Sequence, residues 1–115
     1  MQPNEITVNE YQQLAARTIN NELSEGEQLL HALHLISAEC GEIHGIFQKQ
    51  YQGHEVDDIH LMKEVGDLLW GMAELCEVFG WSLGDVAEMN IEKLRERYPQ
   101  GFETERSLHR KAGDI

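Results

Sequence analysis

The stretch "LMKEVGDLLWGMAELCEVFG", residues 61–80, decides the fold. Leu61, Val65, Leu68, Met72, Leu75 and Phe79 step by four and three, the spacing at which an α-helix presents a single apolar face. Asp57 or Asp58 is placed to cap its start, and Gly80 to stop it. Inside this helix a glycine stands between two acids, Glu64 and Asp67. That is locally unfavourable: a helical glycine costs roughly 1 kcal/mol relative to alanine, and carboxylates three residues apart on one face repel. The chain does the same thing earlier, in "AECGEIHG" at 38–45, where Glu39 and Glu42 flank Gly41. A pattern E-x-G-[E/D] therefore occurs twice.

Outward from this segment the punctuation stays helical. Thr7 with Glu10 and Ser24 with Glu27 each fit a capping box, in which the side chains at N-cap and N3 satisfy each other's backbone amides. They open predicted helices over 7–22 and 24–49, and in the second of these Leu29, Leu33, Ile36, Cys40, Ile43 and Phe47 form another seam. Ser82 with Asp85 starts a further helix that ends before Pro99. No alternating β pattern occurs, and residues 50–56, "QYQGHEV", are the one connection of any length. The expected fold is all-α and four-helix-bundle-like, one domain over residues 1–100. Residues 101–115 read as a polar C-terminal tail, apolar only at Phe102, Leu108 and Ile115, and either an arm or a disordered segment.

Composition narrows the function. In 115 residues, 21 acids face 9 lysines and arginines, a net charge of −12, which argues against a nucleic acid polymer or an anionic membrane as partner unless a cation intervenes. There is no apolar run near the roughly 18 residues of a membrane span and no basic-then-apolar leader at Met1–Glu10, so a cytoplasmic protein is the simplest reading. Cys40 and Cys76 lie on apolar stripes and read as small buried hydrophobes, two thiols being no disulfide framework.

Acids three residues apart are common in so acidic a chain, and six such pairs occur. Location separates them. Glu39 and Glu42 continue the row Ala32, Leu35, Glu39, Glu42, Ile46, which is apolar at its other positions; Glu64 and Asp67 flank the seam of their own helix, with Gly71 one turn on offering no bulk. If consecutive antiparallel helices bring the two rows together, four carboxylates converge, and burying them without a counter-charge costs several kcal/mol per ion. A divalent cation resolves this, and hard oxygen ligands suit Mg²⁺ or Mn²⁺. On this reading Gly41 and Gly66 admit close neighbours beside the acids. The other reading is that all four are solvated helix-face acids. On the last helix Asn90, Lys93 and Arg97 share a face, followed by Tyr98 and Pro99. That stripe suits phosphate oxygens, or equally pairs with Glu92 and Glu96 along its own helix.

These motifs together meet a family. "AECGEIHGIFQKQYQGHE", "KEVGDLLWGMAEL", "VAEMNIEKLRERYPQGF" and "NEYQQLAARTI" resemble the MazG-like, all-α nucleoside triphosphate pyrophosphohydrolases, from about Asn9 to Phe102. The ordered combination of E-x-x-E, E-x-x-D and N-x-x-K-x-x-x-R-Y-P carries the likeness. The resemblance implies a helical bundle that assembles as a homodimer or homotetramer. It also implies Mg²⁺-dependent hydrolysis of a (deoxy)nucleoside triphosphate to the monophosphate and pyrophosphate. It places Glu39, Glu42, Glu64 and Asp67 on metal-ligand positions, with Glu39 or Glu42 orienting or deprotonating a water. Lys49, Asn90, Lys93, Arg97 and Tyr98 fall where the nucleotide is met. The chain departs from the family pattern at Ala38, where many members carry a second acid.

Two other classes compete for the same residues. A di-metal oxidase bundle wants Glu-x-x-His, and none of His31, His34, His44, His54, His60 and His109 has a glutamate three positions before it, so all six read as surface or capping residues. A non-catalytic helical dimerisation module is the second, distinguished from the enzyme by indifference to Mg²⁺.

Overall fold

A computed structural model of the chain describes residues 5–115. The leader reading of residues 1–10 falls partly on residues 1–4, outside that range. The fold is all-α, with helices α1 (Val8–Ala16), α2 (Glu25–Gln50), α3 (Asp58–Phe79), α4 (Leu83–Arg97) and a short α5 (Thr104–Leu108). No helix is long and apolar enough to cross a membrane among the described residues. The chain divides into two compact units, residues 1–83 and residues 84–115.

The caps form as the sequence predicts. Thr7 and Ser24 each make a full capping box, with Glu10 and Glu27 respectively, and Asp57 caps α3 by accepting from the amides of Ile59 and His60. Gly80 ends α3 in the left-handed region, φ 71°, where glycine carries no Cβ penalty, and the amide of Trp81 returns to the carbonyl of Cys76 at 2.9 Å. The first helix is shorter than the predicted 7–22. It stops at Ala16, and residues 17–23 run as turns. The Thr18 hydroxyl donates to the Ala15 carbonyl and Asn20 Oδ1 accepts from the Glu22 amide. Short polar side chains here compete with the helix for its own backbone partners.

In the first unit α2 and α3 form the main interface, and α1 packs on α3. Tyr11, Ala15 and Leu69 pack around Ala73, Cys76 and Leu83. Buried Gln12 fastens α1 to the α3–α4 turn: its amide nitrogen donates to the Trp81 carbonyl at 2.9 Å and to Glu77 Oε1 at 3.2 Å, and its oxygen accepts from the Leu83 amide at 2.6 Å. A buried polar side chain with both ends satisfied fixes one arrangement of the segments it joins.

The tightest approach lies at Gly71. A Cβ built there would stand 2.9 Å from Ile36 Cγ1 and 3.4 Å from Leu35 Cγ. Gly41 and Gly66 have nothing within 4 Å of the same position, so the expectation that they admit close neighbours is corrected: the close approach is one turn beyond the acids, at Gly71. Cys76 is buried as expected, whereas Cys40 is exposed although it shares its stripe with Ile36. The seams themselves are only half covered. Leu33, Val65, Met72 and Phe79 are 40–50% exposed, and among the described residues no large side chain is fully buried.

This packing sets opposite signs for two glycine substitutions. Gly66→Ala should stabilise by about 0.5–1 kcal/mol, since it gains helix propensity into open space. Gly71→Ala should destabilise by about 1 kcal/mol, because overpacking against Ile36 outweighs the same gain. Chemical denaturation of both variants checks this, and equal signs would refute the reading of the α2–α3 contact.

Candidate metal and nucleotide site

The acids come together because α2 and α3 are antiparallel neighbours in a fixed register. His31 Nδ1 meets Glu74 Oε1 at 2.6 Å, and Leu35 and Ile36 close on Gly71. One turn further along α2, and one to two turns back along α3, come Glu39, Glu64 and Asp67. One carboxylate oxygen from each of these three lies within 4.8 Å of the others. Helix periodicity does the rest: i, i+3 spacing puts Glu64 and Asp67 on one face of α3, opposite Glu39.

The site is electrostatically frustrated without a cation. Glu39 Oε2 is buried and has no hydrogen-bond partner. Its carboxyl is pushed up to about 7, first by a proton-sharing contact with Glu64, then by burial, then by the charges of Glu64, Asp67 and Glu42. Glu42 thus acts on the group electrostatically but is not among the three whose oxygens converge. His60 Nε2 stands 3.3 Å from Glu64, one turn along α3. Tyr11 of α1 reaches the same region: burial raises its hydroxyl pKa first, and the charge of Asp67 raises it further. An orphaned buried oxygen within a convergent set of hard oxygen donors is what a Mg²⁺ or Mn²⁺ site requires, so the residues fit the group.

The remaining sequence candidates lie elsewhere on the chain. Lys49 is exposed in the last turn of α2. Asn90 and Lys93 are exposed on α4, in the second unit. Arg97 ends α4 and is already engaged: its Nε and Nη2 donate to Asp114 at 3.0 and 2.8 Å. Its guanidinium lies 6.0 Å from the Tyr98 ring, which packs tilted against Phe102 at 5.3 Å. Sequence reasoning missed Tyr11, the His31–Glu74 and His60–Glu64 pairs, and Asp114. Helical register could have given the His60–Glu64 pair, four residues apart; the others depend on how segments far apart in sequence meet.

The family model of the MazG nucleotide pyrophosphohydrolase domain matches residues 27–102, which span both acidic motifs and the α4 stripe. The chain belongs to that family. No curated protein and no solved structure matches it significantly. Membership of this all-α MazG family supports a hydrolase that acts on nucleotide phosphoanhydrides.

The raised Glu39 carboxyl fixes a pH dependence. A carboxyl whose folded value, about 7, exceeds its ordinary 4.5 contributes stability that is full below 4.5 and is lost as pH rises through 7. The melting temperature of the metal-free protein should therefore fall between pH 5 and pH 8, and Glu39→Gln should flatten that fall. Identical pH slopes in the two proteins, measured in chelator, would contradict the convergence of these acids.

Proposed function

We propose that this MazG-family chain is a divalent-cation-dependent nucleoside triphosphate pyrophosphohydrolase that releases a nucleoside monophosphate and pyrophosphate. The observation that carries the reading is the convergence of one carboxylate oxygen each from Glu39, Glu64 and Asp67, in a group where Glu39 Oε2 is buried without a partner. These three, with Glu42 beside them, would hold Mg²⁺ or Mn²⁺. The cation supplies Lewis-acid polarisation of the phosphate oxygens and neutralises charge on the leaving group.

The protein's own share is binding, orientation and proton handling. A water adds to the α-phosphorus, the bond to the bridging oxygen breaks, and pyrophosphate carries that oxygen away. The water's proton goes to Glu39 or Glu42, the two carboxylates of the first acidic motif. Asn90, Lys93, Arg97 and Tyr98 on the α4 segment, with Lys49, take the nucleotide. Arginine forks and lysine ammonium groups are the donors that phosphate oxygens select. The half-exposed seams of α2 and α3 leave more apolar surface than one small domain tolerates, so a homodimer or homotetramer is part of the proposal. A cytoplasmic location suits a nucleotide substrate.

With Mg²⁺, the purified chain should release pyrophosphate and a monophosphate from at least one common NTP or dNTP, and product identification would overturn the proposal if it found orthophosphate and a diphosphate. Lys93→Ala should lower kcat/KM about tenfold or more, the worth of a charge-assisted phosphate contact of roughly 1.5–3 kcal/mol. Wild-type kinetics in that variant would return Lys93 to the solvated face of α4. Mg²⁺ at 100 times its dissociation constant should add about 2.7 kcal/mol to wild type by mass action. Asp67→Asn should lose most of this gain; an equal Mg²⁺ response in variant and wild type would place the metal elsewhere. Light scattering at micromolar concentration should give a mass of two or four chains.

A further inference from the structure

The nine lysines and arginines are distributed unevenly. Three fall in residues 1–83 against fourteen acids, and six fall in residues 84–115 against seven. Within the second unit the imbalance is sharper still. After α5 the chain turns back on α4 and closes a cavity of about 330 Å³, lined by Lys93, Arg97, Arg106, His109, Arg110 and Lys111, with Glu96 and Asp114 as the acids of its wall. That volume lies in the range of small-molecule sites. A concave surface bearing five full cations in a chain of net charge −12 is a local field of the opposite sign to the rest of the molecule, and it concentrates anions.

One protein anion already sits there. Asp114 takes Arg97 in a two-pronged contact, Oδ2 to Nε at 3.0 Å and Oδ1 to Nη2 at 2.8 Å, with side chains 11% and 16% exposed. This is the fork-on-fork geometry in which a carboxylate and a phosphate are interchangeable partners of a guanidinium. The contact holds the Asp114 carboxyl below its usual range, chiefly through the Arg97 hydrogen bonds, and the charges of Arg110 and Lys93 act in the same sense. A single carboxylate does not exhaust the wall. His109 has Glu105 at 3.4 Å, but Lys93, Arg106, Arg110 and Lys111 remain beyond the Arg97 that Asp114 meets, four cations against one further acid side chain, Glu96.

We propose that the cavity between α4 and residues 106–115 is a binding site for an oligophosphate, and that Asp114 is its internal occupant, which leaves Arg97 when the ligand enters. The ligand's chemistry is that of pyrophosphate or the triphosphate end of a nucleotide: several adjacent anionic oxygens that engage Arg97, Arg106 and Arg110 together. The site shares Lys93 and Arg97 with the pyrophosphohydrolase reading and rests on it for the origin of such a ligand; Arg106, Arg110, Lys111 and the displaceable Asp114 are what it adds. Asp114 then lowers apparent affinity by keeping only a fraction of molecules competent, which sets a threshold on ligand concentration.

Calorimetric titration of the full chain with inorganic pyrophosphate in chelator tests this, and since no turnover is read, failure of the hydrolase reading would leave its outcome intact. Arg106→Ala and Arg110→Ala should each weaken binding at least threefold, and Asp114→Asn should tighten it at least threefold. Circular dichroism confirms that each variant is folded. Sulfate should bind at least tenfold more weakly than pyrophosphate. A nucleoside triphosphate that displaces bound pyrophosphate identifies the nucleotide's phosphate chain as the source; one that binds without displacing it identifies free pyrophosphate. The proposal is overturned if neither wild type nor Asp114→Asn binds pyrophosphate. It is overturned equally if all variants bind alike, or if sulfate matches pyrophosphate and the cavity is only a generic basic patch.

Discussion

The close approach of Ile36 to Gly71 governs the first unit. With the Ile36 side chain seated on a glycine, the two helices have little freedom to slide, and the neighbouring contacts fall into register on either side. His31 reaches Glu74 in one direction, and Glu39 meets Glu64 and Asp67 in the other. A shift of one helical turn moves a side chain by about 5.4 Å, more than the 4.8 Å that encloses the three carboxylate oxygens. The acidic group is therefore a product of helix packing, carried on rigid elements, and its geometry is held by apolar contacts that have no chemistry of their own.

That rigidity has an electrostatic consequence. Carboxylates on flexible loops would separate to relieve repulsion; on α2 and α3 they are held together, and the relief comes through protonation of Glu39. His60 Nε2 lies 3.3 Å from Glu64 Oε1 on the same helix. The second unit solves the converse problem by the same rule, since its concentrated cations recruit Asp114 from across the tail. Each unit thus answers its excess charge with the nearest titratable or opposite group, and each answer is one that a cation or an anionic ligand can replace.

The helices were legible because caps and apolar period are local. Thr7, Ser24, Asp57 and Gly80 act where the sequence places them, and the seams of α2 and α3 follow from spacing alone. The acidic site was legible in part: the interruption of an apolar row by Glu39, and the paired acids of α3, required only that the two helices be antiparallel neighbours. What was not legible depends on three-dimensional closure. Which glycine lies at the contact is set by side-chain fit, and so it is Gly71 and neither Gly41 nor Gly66. Whether a seam cysteine is buried depends on how far the interface extends, which separates Cys76 from Cys40. The Arg97–Asp114 pair spans a tail that reads as merely polar, because a helix of five residues and a returning turn leave no periodic signal.

The buried apolar residues of the described chain are Ala32, Ala73, Cys76 and Leu83, small side chains or the edge of a turn, while larger ones remain half open. A domain of this size has little margin, and the acidic group spends some of it on repulsion. Two additions repair the balance in the proposed enzyme. On that proposal a second copy would cover the apolar seams, and a divalent cation would turn mutual repulsion among Glu39, Glu64 and Asp67 into shared attraction. Each would bind the folded state in preference to the unfolded chain and so stabilise by mass action. The features that make the isolated chain marginal are then the same features that make its fold responsive to the cation and the partner on which its proposed chemistry depends.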